Sequence, residues 1–342
     1  MTETGPAESG SSAWARRLRR VARQVLPVVI GLGAIGGIIV ILNPGQVGGA
    51  LEHFRLWLLA PAMVLYLLCY LFQGVRWHFL LRDIGLDLSM SDAVLLNAAG
   101  QAITALVPLG DLTRAAFASE AGGKSFGTVA ATVTVQEVTY TLTLVLLALP
   151  VLFLFHLGAG SIAAVAIGLA IIVVVLTVSP VFRLVHGLIA RIPVLNRILP
   201  AVDDLRHETS DLLHRPDTLG WSVLDLARSA SGVTALWLIV EGVAPGAIGW
   251  WDAAFVLALA SIGGAVSVIP GGVGANEAGV VGLLIFFHVH GGDAGAAAII
   301  QRVLITGIPL IVGFGAYAIA RRRFNLGGIF QITARQREKT AA

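Results

Sequence analysis

Charge is scarce in this chain. Only 13% of its 342 residues are Asp, Glu, Lys or Arg, about half of the roughly 25% that an ordinary soluble domain carries. That excludes a soluble enzyme with a polar shell. Cysteine is scarcer still: Cys69 stands alone inside an apolar run. Neither an intramolecular disulfide nor a cysteine metal cluster can form. No Walker loop, HExxH pair or Ser-His-Asp set occurs, and the GxG at 31–33 lies in an apolar run, where it signals close packing. No cofactor is expected.

Hydrophobic residues, by contrast, make up 56% of the chain, and its mean hydropathy is +0.85. Glycine is also abundant, at 40 residues; its usual share is roughly 7%. It suits helices that pack closely or break inside a membrane. The net charge of +3 does not point to nucleic acid, because the basic residues flank apolar stretches.

About 20 apolar residues cross a bilayer. Six stretches qualify: 25–42, 56–81, 126–155, 159–178, 220–240 and 294–320. Residues 1–12 read as a disordered tail, 13–323 as one transmembrane domain and 324–342 as a cytoplasmic tail. The Arg-rich segment before the first stretch resembles a signal peptide. The length of that stretch and the spans that follow argue against one. Basic residues collect on one side: Arg16 to Arg23, Arg76 and Arg82 at the end of span 2, five Arg between spans 4 and 5, and Arg321 to Lys339. The opposite loops hold only Arg55. The positive-inside rule then predicts a cell (cytoplasmic) membrane protein with both termini in the cytoplasm. The linker at 181–216 reads as amphipathic surface helix or as a connector packed on its own spans.

Two apolar regions are too short or too broken to be plain spans. One runs over 92–107, meets Pro-Leu-Gly-Asp-Leu-Thr-Arg at 108–114, and continues to 122. The other runs over 252–269, meets Pro-Gly-Gly-Val-Gly-Ala-Asn-Glu at 270–277, and continues to 290. Pro followed by Gly ends a helix, so each region predicts a re-entrant helical hairpin. Trp77 precedes Asp92 by the same interval as Trp237 precedes Asp252. Gln136-Glu137 in span 3 matches Gln301-Arg302 in span 6. The expected fold is an all-α polytopic membrane protein, an inverted-topology repeat with six long spans and two re-entrant hairpins.

Ionisable groups in spans are costly, at least about 2.5–3.5 kcal/mol at the helix centre, and face a cavity or a partner. Asp111 and Arg114 share a helix face: either a local ion pair, or Arg114 as a phosphate ligand whose fork matches two oxygens. Gly271, Gly272 and Gly274 either make the turn or aim N–H groups at an anion. Asn276 lies beside them. Glu277 is a good helix-start residue or a proton or amine site. Glu137 and Arg302 stand at matching places and could pair across the pseudo-twofold. Asp225 and Arg228 read as an interfacial or local pair.

The two hinge motifs, with Arg76-Trp77 and the Leu80-Leu81 to Gly85 segment, resemble the lysylphosphatidylglycerol synthase transmembrane (flippase-like) family. The resemblance covers roughly residues 25–320. It implies a role in moving lipids across the bilayer. Relatives with a soluble synthase domain make the aminoacylated lipid. Only about 20 residues follow span 6 here, so a stand-alone, non-enzymatic member is expected. The function this implies is translocation of a phospholipid or polyprenyl-phosphate-type lipid without ATP hydrolysis. A membrane-embedded transferase on a lipid-linked substrate, or an accessory subunit of an envelope complex, is the alternative. The expected partners are membrane lipids with anionic head groups. A homo-oligomer or an envelope-synthesis partner is compatible with the reading.

Overall fold

The computed structural model describes residues 37, 40, 44–104, 111–154, 217, 220–266 and 272–324. These residues form nine α-helices and no strand. They are α1 (Pro44–Glu52), α2 (Leu59–Asp83), α3 (Met90–Thr104), α4 (Asp111–Gly122), α5 (Phe126–Leu154), α6 (Val223–Val243), α7 (Trp250–Val266), α8 (Ala275–Phe286) and α9 (Gly291–Phe324). A 3₁₀ turn, Leu56–Leu58, leads into α2. Four helical stretches are long and apolar enough to cross a membrane: Leu56–Asp83, Phe126–Val151, Val223–Val243 and Gly291–Phe324. They correspond to expected spans 2, 3, 5 and 6. Spans 1 and 4 and the linker at 181–216 lie outside the described residues.

The helix ends follow local chemistry. α6 runs to Val243 because Ala244 precedes Pro245. The residue before a proline is pushed out of the α region, and Ala244 has φ −137° and ψ 77°. α9 continues past the expected end through Arg321, Arg322 and Arg323, since arginine favours helix and a cation suits a helix C-terminus. α3 and α7 start alike. Asp92 accepts from Ser89 Oγ at 2.7 Å and its N–H returns to that hydroxyl. Asp252 accepts the Gly249 N–H at 2.7 Å. At α7 the carboxylate satisfies an orphan backbone donor directly; at α3 the Ser89 hydroxyl does so, and the Asp92 carboxylate holds that hydroxyl.

α3 and α4 form one helical hairpin, and α7 and α8 a second. Close backbone approach holds the arms. A Cβ on Gly100 would lie 2.9 Å from the Arg114 backbone, and one on Gly279 would lie 3.1 Å from Ala260 Cα. Gly272 has φ 61° and sits against Gly264, a position where a side chain is both strained and obstructed.

The packing maps onto itself when α2–α5 is exchanged for α6–α9. α2 packs on α6; α3 on α9 and α7 on α5; α2 on α3 and α6 on α7; α4 on α5 and α8 on α9; α6 on α9 and α2 on α5. The two hairpins have their feet at opposite ends of the bundle. At one end Asp92, at the start of α3, pairs with Arg323, at the end of α9, at 2.8 Å. At that end Phe79 also stacks on Trp221 with ring centroids 3.5 Å apart. At the other end the Arg55 N–H donates to Gly242 O at 3.1 Å, and Phe255 meets Phe287. The helices' outer faces are apolar and open: Ile311 is 80% exposed, Leu146 61% and Val303 61%. Exposed faces of this kind fit lipid and not water.

Candidate functional site

A polar cluster is buried between the helices. Four of the contributing helices offer a pair of polar side chains at helical spacing: Gln73 and Arg76 on α2, Asn97 and Gln101 on α3, Gln136 and Tyr140 on α5, and Asp225 and Arg228 on α6. Residues three or four apart share a face, so each helix presents one narrow polar strip. Arg114 comes from the end of the first turn of α4, and Glu137 from α5.

Glu137 is the hub. Its Oε1 accepts from Arg114 Nη2 at 3.0 Å, from Gln73 Nε2 at 3.1 Å and from Arg228 Nη1 at 3.4 Å. Arg114 is wholly buried. Its Nη1 donates to Asn97 Oδ1 at 2.8 Å and to Gln136 Oε1 at 2.7 Å. Gln101 and Asn97 in turn donate to Gln73 Oε1 at 3.1 and 3.4 Å. The guanidinium also faces the Trp77 ring, 5.4 Å from its centroid. The network links donors and acceptors around the Glu137 carboxylate, which pairs with both Arg114 and Arg228, while Arg114 Nε is buried without a partner among the described residues. A buried ion pair is tolerated only where hydrogen bonds complete it.

A second pair lies one turn further along α2. Arg76 Nη1 meets Asp225 Oδ2 at 2.5 Å, both side chains being fully buried. Arg76 also donates to Thr139 Oγ1 at 2.7 Å and to Ser222 Oγ at 3.2 Å. Arg228 lies with its guanidinium 3.7 Å over the Tyr140 ring. Its side chain is 13% exposed, and that of Glu137 is 34% exposed.

The second hairpin carries the opposite arrangement of charge. Glu277 on α8 accepts from Arg302 Nε on α9 and from the Gly274 N–H. In the first hairpin the arm bears Arg114 and the following helix bears Glu137. In the second the arm bears Glu277 and the following helix bears Arg302.

Three expected pairings are corrected. Glu137 and Arg302 do not pair across the two halves; each meets a charge on the hairpin arm packed beside its own helix, which is nearer. Asp111 and Arg114 form no ion pair, because Arg114 turns toward α3 and α5. Asp111 instead accepts from Thr104 Oγ1 at 3.5 Å. Asp225 and Arg228 do not pair locally either; they reach α2 and α5. Arg76, counted with Arg82 as a charge ending span 2, is buried inside α2. Of the other expected site residues, Gly274 has φ 88° and opens α8, and Asn276 follows on its first turn, against Gly264. Gly271 lies outside the described residues. Gln73, Asn97 and Gln101 were missed, and Arg228 was read only as half of a pair with Asp225. Their signal was the recurrence of polar residues at i, i+3 or i, i+4 within apolar helices.

Apolar helices with open apolar flanks around a buried ionic cluster define a helical membrane protein. More specifically, residues 25–313 match the lysylphosphatidylglycerol synthase TM region. The chain therefore belongs to that family of membrane domains, whose associations are with lipid. No curated protein matches it.

Proposed function

We propose that this chain is a flippase-like lipid translocator of the cell membrane, working without ATP hydrolysis and without chemistry on the lipid. The observation that carries the reading is the ionic cluster around Glu137. It draws on both halves of the bundle and leaves Glu137 and Arg228 partly open. Charged groups at membrane depth face a partner or a watery cavity, and a polar head group needs such a path while its acyl chains stay in lipid.

The architecture proposed is an inverted-topology repeat, with α2–α5 and α6–α9 as its units and each hairpin re-entrant from its own side. Six spans result when residues 25–42 and 159–178 cross as well. The self-mapping of the packing supports this, as do the hairpin feet at opposite ends. The charge-exchanged pairs Arg114–Glu137 and Glu277–Arg302 sit at matching places and support it further. Transporters built this way place their substrate site at the repeat interface near the midplane. The basic residues favour a cytoplasmic position for both termini. The ligands proposed are membrane lipids with anionic head groups.

Vesicles containing the purified chain and a trace of fluorescent phosphatidylglycerol test the reading. Dithionite should bleach the label in both leaflets with no nucleotide present, and in protein-free vesicles only the outer leaflet. Arg114→Lys should slow the exchange while the protein stays folded, because one compact ammonium nitrogen replaces the two separate terminal nitrogens that reach Asn97 and Gln136 on one side and Glu137 on the other. Inner-leaflet label that stays protected in wild-type vesicles counts against translocation.

A further inference from the structure

We infer that Arg228 is the docking point for the lipid's phosphate, with Glu137 beside it accepting a hydrogen bond from the rest of the head group. This rests on the translocation reading above and names the class of lipid it would take.

The three arginines of the cluster are not equivalent. Arg76 and Arg114 are fully buried. The terminal nitrogens of Arg76 are held by Asp225, Thr139 and Ser222. Those of Arg114 are held by Asn97, Gln136 and Glu137. Neither has a terminal nitrogen left for a ligand. Arg228 is partly exposed, and the one hydrogen bond its guanidinium makes among the described residues is the 3.4 Å contact to Glu137, the longest ionic contact in the cluster. Its guanidinium carbon lies 3.7 Å over the Tyr140 ring centroid, a contact that engages the cation by the ring face and uses none of its N–H donors. Stacking by its face while presenting a bidentate edge is a property of arginine that lysine lacks.

The chemistry of Glu137 completes the site. All three of its donors converge on Oε1, and Oε2 receives none among the described residues. Arg114 already balances the Glu137 charge at 3.0 Å, so a phosphate can take Arg228 without leaving a bare carboxylate behind. The open Oε2 then meets whatever the phosphate carries. It rewards a hydroxyl or ammonium and gives nothing to a head group without a donor. The ligand class is a phosphodiester lipid with a hydrogen-bond donor in its head group. Arg228 belongs to α6 and Glu137 to α5, so the ligand replaces a contact between the two halves.

Native mass spectrometry of the full chain in detergent tests this by binding alone. The probes are phosphatidylglycerol, diacylglycerol with the same acyl chains, and phosphatidylcholine, whose head group has no donor. Wild type should retain phosphatidylglycerol over both, and excess inorganic phosphate should not displace it. Arg228→Lys keeps a positive charge beside Glu137, and should reduce the preference over diacylglycerol about tenfold. Tyr140→Leu should weaken it in the same direction, and serves if Arg228→Lys does not fold. Arg82→Lys, at the end of α2, should leave the preference unchanged. Wild-type preference in folded Arg228→Lys or Tyr140→Leu overturns the inference, as does displacement by free phosphate or a wild type with no preference. The two readings fail separately. Arg228-dependent binding without leaflet exchange removes translocation alone. Exchange with binding indifferent to Arg228 removes this site alone.

Discussion

At the residue scale, the buried charges divide into those that hold the fold and those left open. Arg76 and Asp225 tie α2 to α6 where both side chains are fully enclosed. Removing one partner leaves the other's charge buried, which costs about 3–5 kcal/mol. Asp225→Asn should therefore lower the melting temperature in detergent markedly. Arg76→Met combined with Asp225→Leu should recover most of the loss, because a buried ion pair exchanged for apolar side chains of similar volume is often neutral. A single Asp225→Asn variant that melts like wild type would mean that the pair does not secure the helix contact. The ionisable residues at this site were visible in the sequence, since each interrupts an apolar stretch. Their partners were not. Asp225 and Arg228 sit three apart, which suggested a local pair. The tertiary packing of α6 on α2 supplied a closer carboxylate partner for Arg76 and left Arg228 to Tyr140 and Glu137.

At the element scale, the helices and hairpins were readable because length and chain-breaking residues are local properties. The four long apolar helices fell close to where the apolar runs placed them, and the hairpin arms begin and end on either side of the Pro- and Gly-containing segments of the sequence. Which helices touch is not local. It depends on where small residues allow backbones together, and glycine is spread along most of these helices. Gly100 and Gly313 are the informative ones. A Cβ on Gly100 would collide with the Arg114 backbone and one on Gly313 with Ala98 O, 2.5 Å away. Gly100→Ala should destabilise the protein by about 1–3 kcal/mol through overpacking. Gly282→Ala meets nothing within 4 Å and should be neutral or stabilising by up to about 1 kcal/mol, the usual gain from replacing glycine within a helix. Parallel melting curves in one detergent check the contrast. Equal effects at the two positions would show that the α3–α4 approach is not tight.

At the scale of the whole molecule, the arrangement turns on which ends of the helices share a face. The Asp92–Arg323 pair places the start of α3 and the end of α9 together. A Cβ on Gly85 would lie 3.5 Å from Lys124 Nζ, which puts the α2–α3 and α4–α5 connections at that same end. The Arg55–Gly242 hydrogen bond marks the opposite end, where α6 gives way to α7. In a membrane, the loop at Lys124 and the loop at Gly246 must then face opposite compartments. The proposed orientation, read from the basic residues, has the Lys124 side in the cytoplasm. Cys69 is the chain's one cysteine, so Cys69→Ser provides a thiol-free background for labelling. In that background Gly246→Cys should react with an impermeant maleimide in intact cells, and Lys124→Cys should react only after the membrane is opened. Gly246 has φ 71°, so Ala247→Cys in the same loop is the control for strain at that position. The reverse pattern would invert the orientation and leave the repeat standing. Labelling of both loops from the same side would break the repeat itself. Each hairpin would then open to the same compartment, and a head group entering beside Arg228 would have no second exit.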